Sequence, residues 1–212
     1  RAARAPGAGA GARVLTTRSI RCAAQREPDR IGLIDERGSL TFRELAELAC
    51  AAIEPSAHRV LIAPRHTRED VVLLLGMLEH RVAFALAHPR WTGAELNDAV
   101  SATGARDVVV QGRWRTTELR ALGQEQVLVF TSGSIGRPKI VRLSRSALAA
   151  AARAHAQALP WRDDDRWLLA LPLAHVGGFS ILTRCLHARA AVVLMEPAPF
   201  DPDRLIEAAE VQ

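Results

Sequence analysis

The sequence predicts an α/β fold with mostly parallel sheets flanked by helices, and three observations predict it. Short β-branched runs alternate with amphipathic stretches long enough to cross over between parallel strands. The helical stretches open on Thr-x-x-Glu/Asp signals: Thr41 with Glu44, Thr67 with Asp70, and Thr92 with Glu95. One apolar run, Val127 to Phe130, leads directly into Thr131-Ser132-Gly133-Ser134-Ile135-Gly136-Arg137-Pro138-Lys139, a strand emptying into a polar, glycine-bearing loop.

Taken in order, residues 1–26 carry six Arg and no acid, and their Ala/Gly/Arg composition predicts a disordered basic tail and lead-in. An acid-free, Arg-rich start is also the composition of a transit peptide, although no clear amphipathic stretch accompanies it. The irregular lead-in gives way to a strand at Ile31 to Asp35, turned by Arg37-Gly38. A helix follows from Thr41 to about Ile53, with Leu45, Leu48, Ala49 and Ala52 expected on one face and Pro55 ending it. Arg59 to Ala63 reads as a strand. A helix after Thr67 should bury Val71, Leu74, Leu75 and Leu78. Val82 to Leu86 is the next strand, the helix after Thr92 stops near Gly104, and Asp107 to Gln111 is a strand. Residues 112–126 carry no clear pattern beyond a short helix signal at Thr117 to Leu122.

Past the polar loop, Ile140 to Leu143 reads as a strand. Ser144 or Ser146 caps an Ala-rich helix to about Ala158. Arg166 to Leu171 is a strand and Pro172 to Ser180 a loop. A helix is expected from about Phe179 through His187, then a strand at Ala190 to Met195 and a helix starting at Asp201. Three divisions follow: the tail, residues 1–26; a first βα subdomain, residues 27–126; and a part carrying the two loops, residues 127–212.

At 212 residues with 49% apolar content the chain can bury a sizeable core. The net charge of +5 lies largely in the tail, and no basic face interleaved with aromatics points to nucleic acid. Cys22, Cys50 and Cys185 lie far apart without metal-ligand spacing, which fits reduced thiols in a cytoplasmic protein. No apolar run approaches the length of a membrane span. Self-association into a homo-oligomer is left open.

The loop after Phe130 has the chemistry of a phosphate cradle. Gly133 and Gly136 let backbone N–H groups turn toward one point, while Thr131, Ser132 and Ser134 add hydroxyl donors. Lys139 is the one lysine in a chain with 27 Arg, and its compact ammonium suits a point contact with phosphate. A Walker A loop is excluded, because Pro138 stands where its second Gly would be and Ile140 where its Ser or Thr would be. A polar turn between two strands would use similar residues, but not in this order. The order resembles the phosphate-binding signature of the acyl-adenylate-forming superfamily: acyl-CoA synthetases, luciferases and peptide-synthetase adenylation domains. Thr131, Ser132, Gly133, Ser134, Gly136, Pro138 and Lys139 match that signature. Ile135 departs from its usual Thr and removes a hydroxyl from the cradle; Ile140 departs from its usual Gly.

A second stretch, Pro172-Leu-Ala-His175-Val-Gly177-Gly178-Phe-Ser180-Ile-Leu-Thr-Arg184, sits where a parallel sheet presents ligands, beyond a strand's carboxyl end. It resembles the superfamily's His-bearing loop, which lines the acyl pocket and which the His gates. With Asp165-Arg-Trp167-Leu168 before it and Arg184 after it, it is most similar in form to o-succinylbenzoate–CoA ligases of menaquinone synthesis. Arg184 falls one helical turn after Ser180, where a guanidinium could pair with a second carboxylate. Ala174 replaces that family's usual aromatic.

The resemblance implies a layered αβαβα N-terminal domain, truncated. It implies a ligase that activates a carboxylate with ATP and Mg²⁺ through acyl-AMP and transfers the acyl group to CoA. Thr131, Ser132, Gly133, Ser134, Gly136 and Lys139 would bind nucleotide; His175, Gly177, Gly178 and Arg184 would bind substrate; His175 and Lys139 would serve catalysis, with no protein metal ligand. The family's adenine-, ribose- and Mg²⁺-binding segments and C-terminal catalytic Lys are expected beyond Gln212. These 212 residues alone are therefore not expected to complete the reaction. Two alternatives remain: another adenylating enzyme (a fatty acyl or aryl-CoA ligase, or a peptide-synthetase adenylation domain), or a non-catalytic truncated remnant.

Overall fold

The computed structural model describes residues 19–53, 58–116, 125–131, 139–195, 201–203 and 206. The elements are α1 (Ile20–Arg26), β1 (Ile31–Asp35), β2 (Gly38–Thr41), α2 (Phe42–Ala51), β3 (Arg59–Ala63), α3 (Arg68–Glu79), β4 (Ala83–Leu86), α4 (Gly93–Thr103) and β5 (Asp107–Val110). They continue as β6 (Arg113–Thr116), β7 (Val127–Thr131), β8 (Lys139–Leu143), α5 (Arg145–Ala158), β9 (Arg166–Leu169), α6 (Val176–Ala188) and β10 (Ala191–Leu194).

Local chemistry starts the helices. Thr41 with Glu44, Thr67 with Asp70 and Thr92 with Glu95 each form the full reciprocal capping box. The Ser144 hydroxyl caps α5 by accepting from Ala147 N at 3.1 Å. Gly104, in the left-handed region at φ 64°, closes α4.

The strands form two sheets. One has the order β6-β5-β3-β4-β7-β8 and the other β2-β1-β10-β9. β3 pairs in parallel with β4 and β5, β4 with β7, and β10 with β1 and β9. The expected parallel α/β architecture is thus present, with antiparallel edge strands β2, β6 and β8 added to it. Each sheet draws strands from both sides of Val127.

Alternation along β3, β4 and β7 divides the larger sheet's faces. Leu61, Ala85 and Leu128 meet Ala99 of α4 in a smaller core on one side. Val60, Ile62, Phe84, Leu86, Val127 and Val129 face the main core on the other. α3 and α6 lie between the sheets. In α3 every residue from Asp70 to Leu78 is buried, well beyond the single stripe expected, and Arg68 at its start pairs with Asp35 of β1. In α6, Phe179 packs edge-on against Phe84 at 5.6 Å while the helix also touches β9 and β10.

Several expectations are corrected. Ile20–Arg26 is helical within the expected disordered lead-in, because Ser19 caps it and Ile20 and Ala23 are buried. Leu48 is 45% exposed, since the buried stripe of α2 centres on Phe42, Leu45, Ala46 and Ala49 and leaves Leu48 on its flank. β6 forms within residues 112–126 by pairing with β5; the helix signal at 117–122 lies outside the described residues. No helix among the described residues is long and apolar enough to cross a membrane.

Candidate active site at the carboxyl ends of the strands

The two loops marked in the sequence follow strands of different sheets, β7 of the larger and β9 of the smaller. β7 and β8 form a hairpin whose last pair is Thr131 with Lys139, both exposed, and the Thr131 hydroxyl donates to the Lys139 carbonyl at 3.4 Å. Ser132, Gly133, Ser134 and Gly136 lie outside the described residues.

The opposite end of the hairpin is bolted down. Gln126 is buried, donates to Val82 O at 2.6 Å, and accepts from the Arg145 guanidinium at 2.7 Å. Glu125 receives Arg59 and Arg142, each at 2.7 Å. Arg59 is buried, so this carboxylate neutralises a charge that would otherwise be costly there.

His175 is exposed and stands as the N-cap of α6, with no side-chain capping bond. The helix therefore begins at Val176, three residues earlier than expected, and Gly177 and Gly178 form its first turn. What Gly178 admits is the chain's own backbone. A Cβ there would stand 2.3 Å from Pro172 O and 2.4 Å from Leu171 O. At Gly177 a Cβ would meet only Leu171 Cδ1, at 3.0 Å.

The ring of His175 lies 5.6 Å from that of His88, between centroids. His88 follows the end of β4, and its Nδ1 accepts from Arg90 N at 3.2 Å. Burial first, then the charges of His175 and Arg90, hold its pKa below the usual histidine value. The β4–β7 register pairs Leu86 with Val129, the last recorded pair; His88 lies two residues past the end of β4, and Thr131 two residues past Val129 in β7. His88 thus follows the strand that neighbours β7 and meets the His175 loop.

Arg184 is placed elsewhere. It lies nine residues along α6 from His175, about 13 Å up the helix axis. Its guanidinium sits over Trp167 at 5.5 Å from the ring centroid, and Trp167 stacks in turn with His155 and Trp161. Among the described residues Arg184 Nε, His155 Nδ1 and Trp161 Nε1 are buried and meet no hydrogen-bond partner. Burial, then the charge of Arg184, keeps the His155 pKa low.

Sequence reasoning missed His66 and His88 as parts of this site. Each stands two or three residues past the end of an apolar strand, after Ala63 and Leu86 respectively. The rule that placed His175 at a strand's carboxyl end would have found both.

Comparison with known proteins shows what the chain resembles. Residues 124–212 match the family model described as AMP-binding enzyme. The 2-succinylbenzoate–CoA ligase of Bacillus pumilus (strain SAFR-032) is 38% identical over 89 residues, 42% of this chain and 18% of that protein. The one of Bacillus anthracis (strain A0248) is 32% identical over 215 aligned positions, 87% of this chain and 44% of that protein. Among solved structures, O-succinylbenzoate coenzyme A synthetase (MenE) from Bacillus subtilis in complex with AMP superposes with TM-score 0.77 at 23% identity, covering 90% of this chain and 46% of that one. The Klebsiella oxytoca NpsA N-terminal subdomain in complex with 3-hydroxyanthranilyl-AMSN gives TM-score 0.75 at 20% identity, covering 92% and 57%.

Residues 124–212 match the AMP-binding family of the adenylate-forming superfamily, and the chain has the fold of the N-terminal part of such enzymes. Within the superfamily it stands close to the 2-succinylbenzoate–CoA ligases, of whose length it spans about half or less.

Proposed function

We propose that this chain supplies the phosphate- and acyl-binding portion of an AMP-forming acid–thiol ligase acting on 2-succinylbenzoate, in the cytoplasm. The observation that carries the reading is at His88: it follows β4, which runs beside β7, and its ring lies 5.6 Å from that of His175. The β/γ-phosphates of ATP would lie in the hairpin loop, against the hydroxyls of Thr131, Ser132 and Ser134, the amides of Gly133 and Gly136, and the ammonium of Lys139. Mg²⁺ would come with the triphosphate and offset its remaining charge.

The substrate carboxylate, held near His175 and Gly177, attacks the α-phosphorus. The bond to the pyrophosphate oxygen breaks, and Lys139 stabilises the charge that leaves. The CoA thiol then displaces AMP from the acyl carbon. Gly178 serves by letting α6 dock on the Pro172 backbone. Arg184 would receive the substrate's second carboxylate on its unpartnered Nε side, and the separation of about 13 Å from His175 asks for a long, two-headed acid.

Since Lys139 is the only lysine and is engaged at the phosphate loop, the 212 residues are expected to bind nucleotide without completing the thioester. An aryl monocarboxylate is the second reading, favoured by Arg184 already resting on Trp167. A substrate panel separates the two. The first test is Lys139→Ala with ATP titrated calorimetrically: affinity should fall about tenfold or more while the fold is retained. Unchanged ATP affinity would refute the loop assignment.

A further inference from the structure

The loop that carries His175 is tied down from the other sheet, by His66. This residue stands in the turn between β3 and α3 at φ 71°, a left-handed conformation uncommon outside glycine. Its imidazole is half-buried and spans a long gap in sequence. Nε2 lies 2.9 Å from the carbonyl of Leu169, the last residue of β9. The amide of Leu173 points to Nδ1 at 3.4 Å.

The partners fix the tautomer. A carbonyl only accepts, so Nε2 carries the proton; a backbone amide only donates, so Nδ1 is bare. Only the neutral Nε2–H form satisfies both. The tie passes on to His175, whose amide donates to Pro172 O at 3.0 Å, and to α6, whose Gly178 rests on the Leu171 and Pro172 carbonyls.

We propose that His66 is a positioning residue for the acyl-pocket loop: as the neutral Nε2–H tautomer it holds Leu169 and Leu173 together and so sets where His175 stands, and on protonation it releases Leu173. The proposal rests on the reading of the His175 loop as the acyl pocket.

Among the described residues, the groups facing the ring are these. From α3 comes the Asp70 carboxylate, already bonded to Arg65 N, Thr67 N and the Thr67 hydroxyl. From the loop come the Leu169 carbonyl and the Leu173 amide. Burial lowers the His66 pKa and outweighs the Leu169 carbonyl and the Asp70 charge, which raise it. With the folded value depressed, the tie is fully present above the ordinary histidine pKa of about 6.5 and is lost as pH falls through the lower folded value.

Two variants test this in the whole chain: His66→Ala, and His66→Asn, which tolerates the left-handed backbone but is too short to bridge. Ring-nitrogen NMR at about pH 7.5 should show His66 neutral and protonated at Nε2. Exchange of the Leu173 amide, corrected for its intrinsic rate, should quicken about fivefold to tenfold as the pH falls through the His66 titration followed by the same NMR. In His66→Asn it should be fast across that range, with the β3 amides of Leu61 and Ile62 as folding controls. An Nδ1–H tautomer, or Leu173 protection indifferent to both pH and substitution, overturns the proposal.

Titration with 2-succinylbenzoate, read at the His175 ring, completes the test. Unchanged affinity in His66→Asn despite a released loop also overturns the positioning role. Failure of the unsubstituted chain to bind would remove the acyl-pocket reading, while the tautomer and exchange results would still decide the tie.

Discussion

At its N-terminus α6 is held by backbone, and toward its C-terminus it carries a charge with bonds to spare. Around His175 the polar groups of the loop are matched: Leu169 O and Leu173 N by His66, and Pro172 O by the His175 amide, with Gly178 pressed against two carbonyls. Around Arg184, three buried polar atoms on Arg184, His155 and Trp161 meet no partner among the described residues, and aromatic faces take the place of hydrogen bonds. At the first end the loop backbone is held by the chain's own groups. The second is a polar cluster whose remaining bonds a carboxylate could complete, and native interiors seldom leave such atoms unmatched without a reason.

The largest effect expected is at the first end. Gly178→Ala drives a Cβ to within 2.3 Å of Pro172 O, a rigid neighbour, and should cost about 3 kcal/mol, read as a fall in denaturant midpoint at unchanged slope. Gly177→Ala meets only the end of the exposed Leu171 side chain. It should be neutral or stabilising by up to about 1 kcal/mol, since Ala favours helix over Gly. Equal costs at the two positions would break the view that backbone packing, rather than space for a ligand, requires the second glycine.

These two glycines also show what can be read from a sequence. Three capping boxes were legible because each is a local exchange of bonds, complete within four residues. β3, β7 and α5 were legible from apolar runs and cap chemistry. The start of α6 was not, because Val176-Gly177-Gly178 has poor helix propensity and its helical form depends on the Pro172 backbone beside it. β2 and β6 escaped notice because they are short polar edges that exist by pairing with β1 and β5. His66 and His88 required the sheet order, which is the long-range information that composition and periodicity lack. The Arg184 cluster required knowing that Trp167 on β9 and Trp161 after α5 face the same helix.

At the open end, Arg184→Met should keep most of the contact with Trp167 while removing the charge. Affinity for 2-succinylbenzoate should fall about tenfold to a hundredfold, and that for an aryl monocarboxylate should change little. Loss of both affinities alike would mean that Arg184 supports the fold of the pocket rather than reading a second carboxylate, and the contrast between the two ends of α6 would lose its functional half.

The smallest effect is the one that tests whether the cluster acts as a unit. His155 is held below its ordinary pKa by burial first and by the Arg184 charge second. Its neutral form therefore contributes stability that is present above the ordinary histidine value and lost as pH falls through the lower folded one. Arg184→Met removes the second cause and leaves the first. The His155 ring, followed by NMR across its titration, should move its pKa upward yet remain below the ordinary value, narrowing that pH window. A pKa that stays put would mean the guanidinium charge does not reach His155, so that Arg184 and Trp167 form one pair and His155 and Trp161 another. The two unpartnered nitrogens on His155 and Trp161 would then belong to the packing of α5 and not to the acyl pocket.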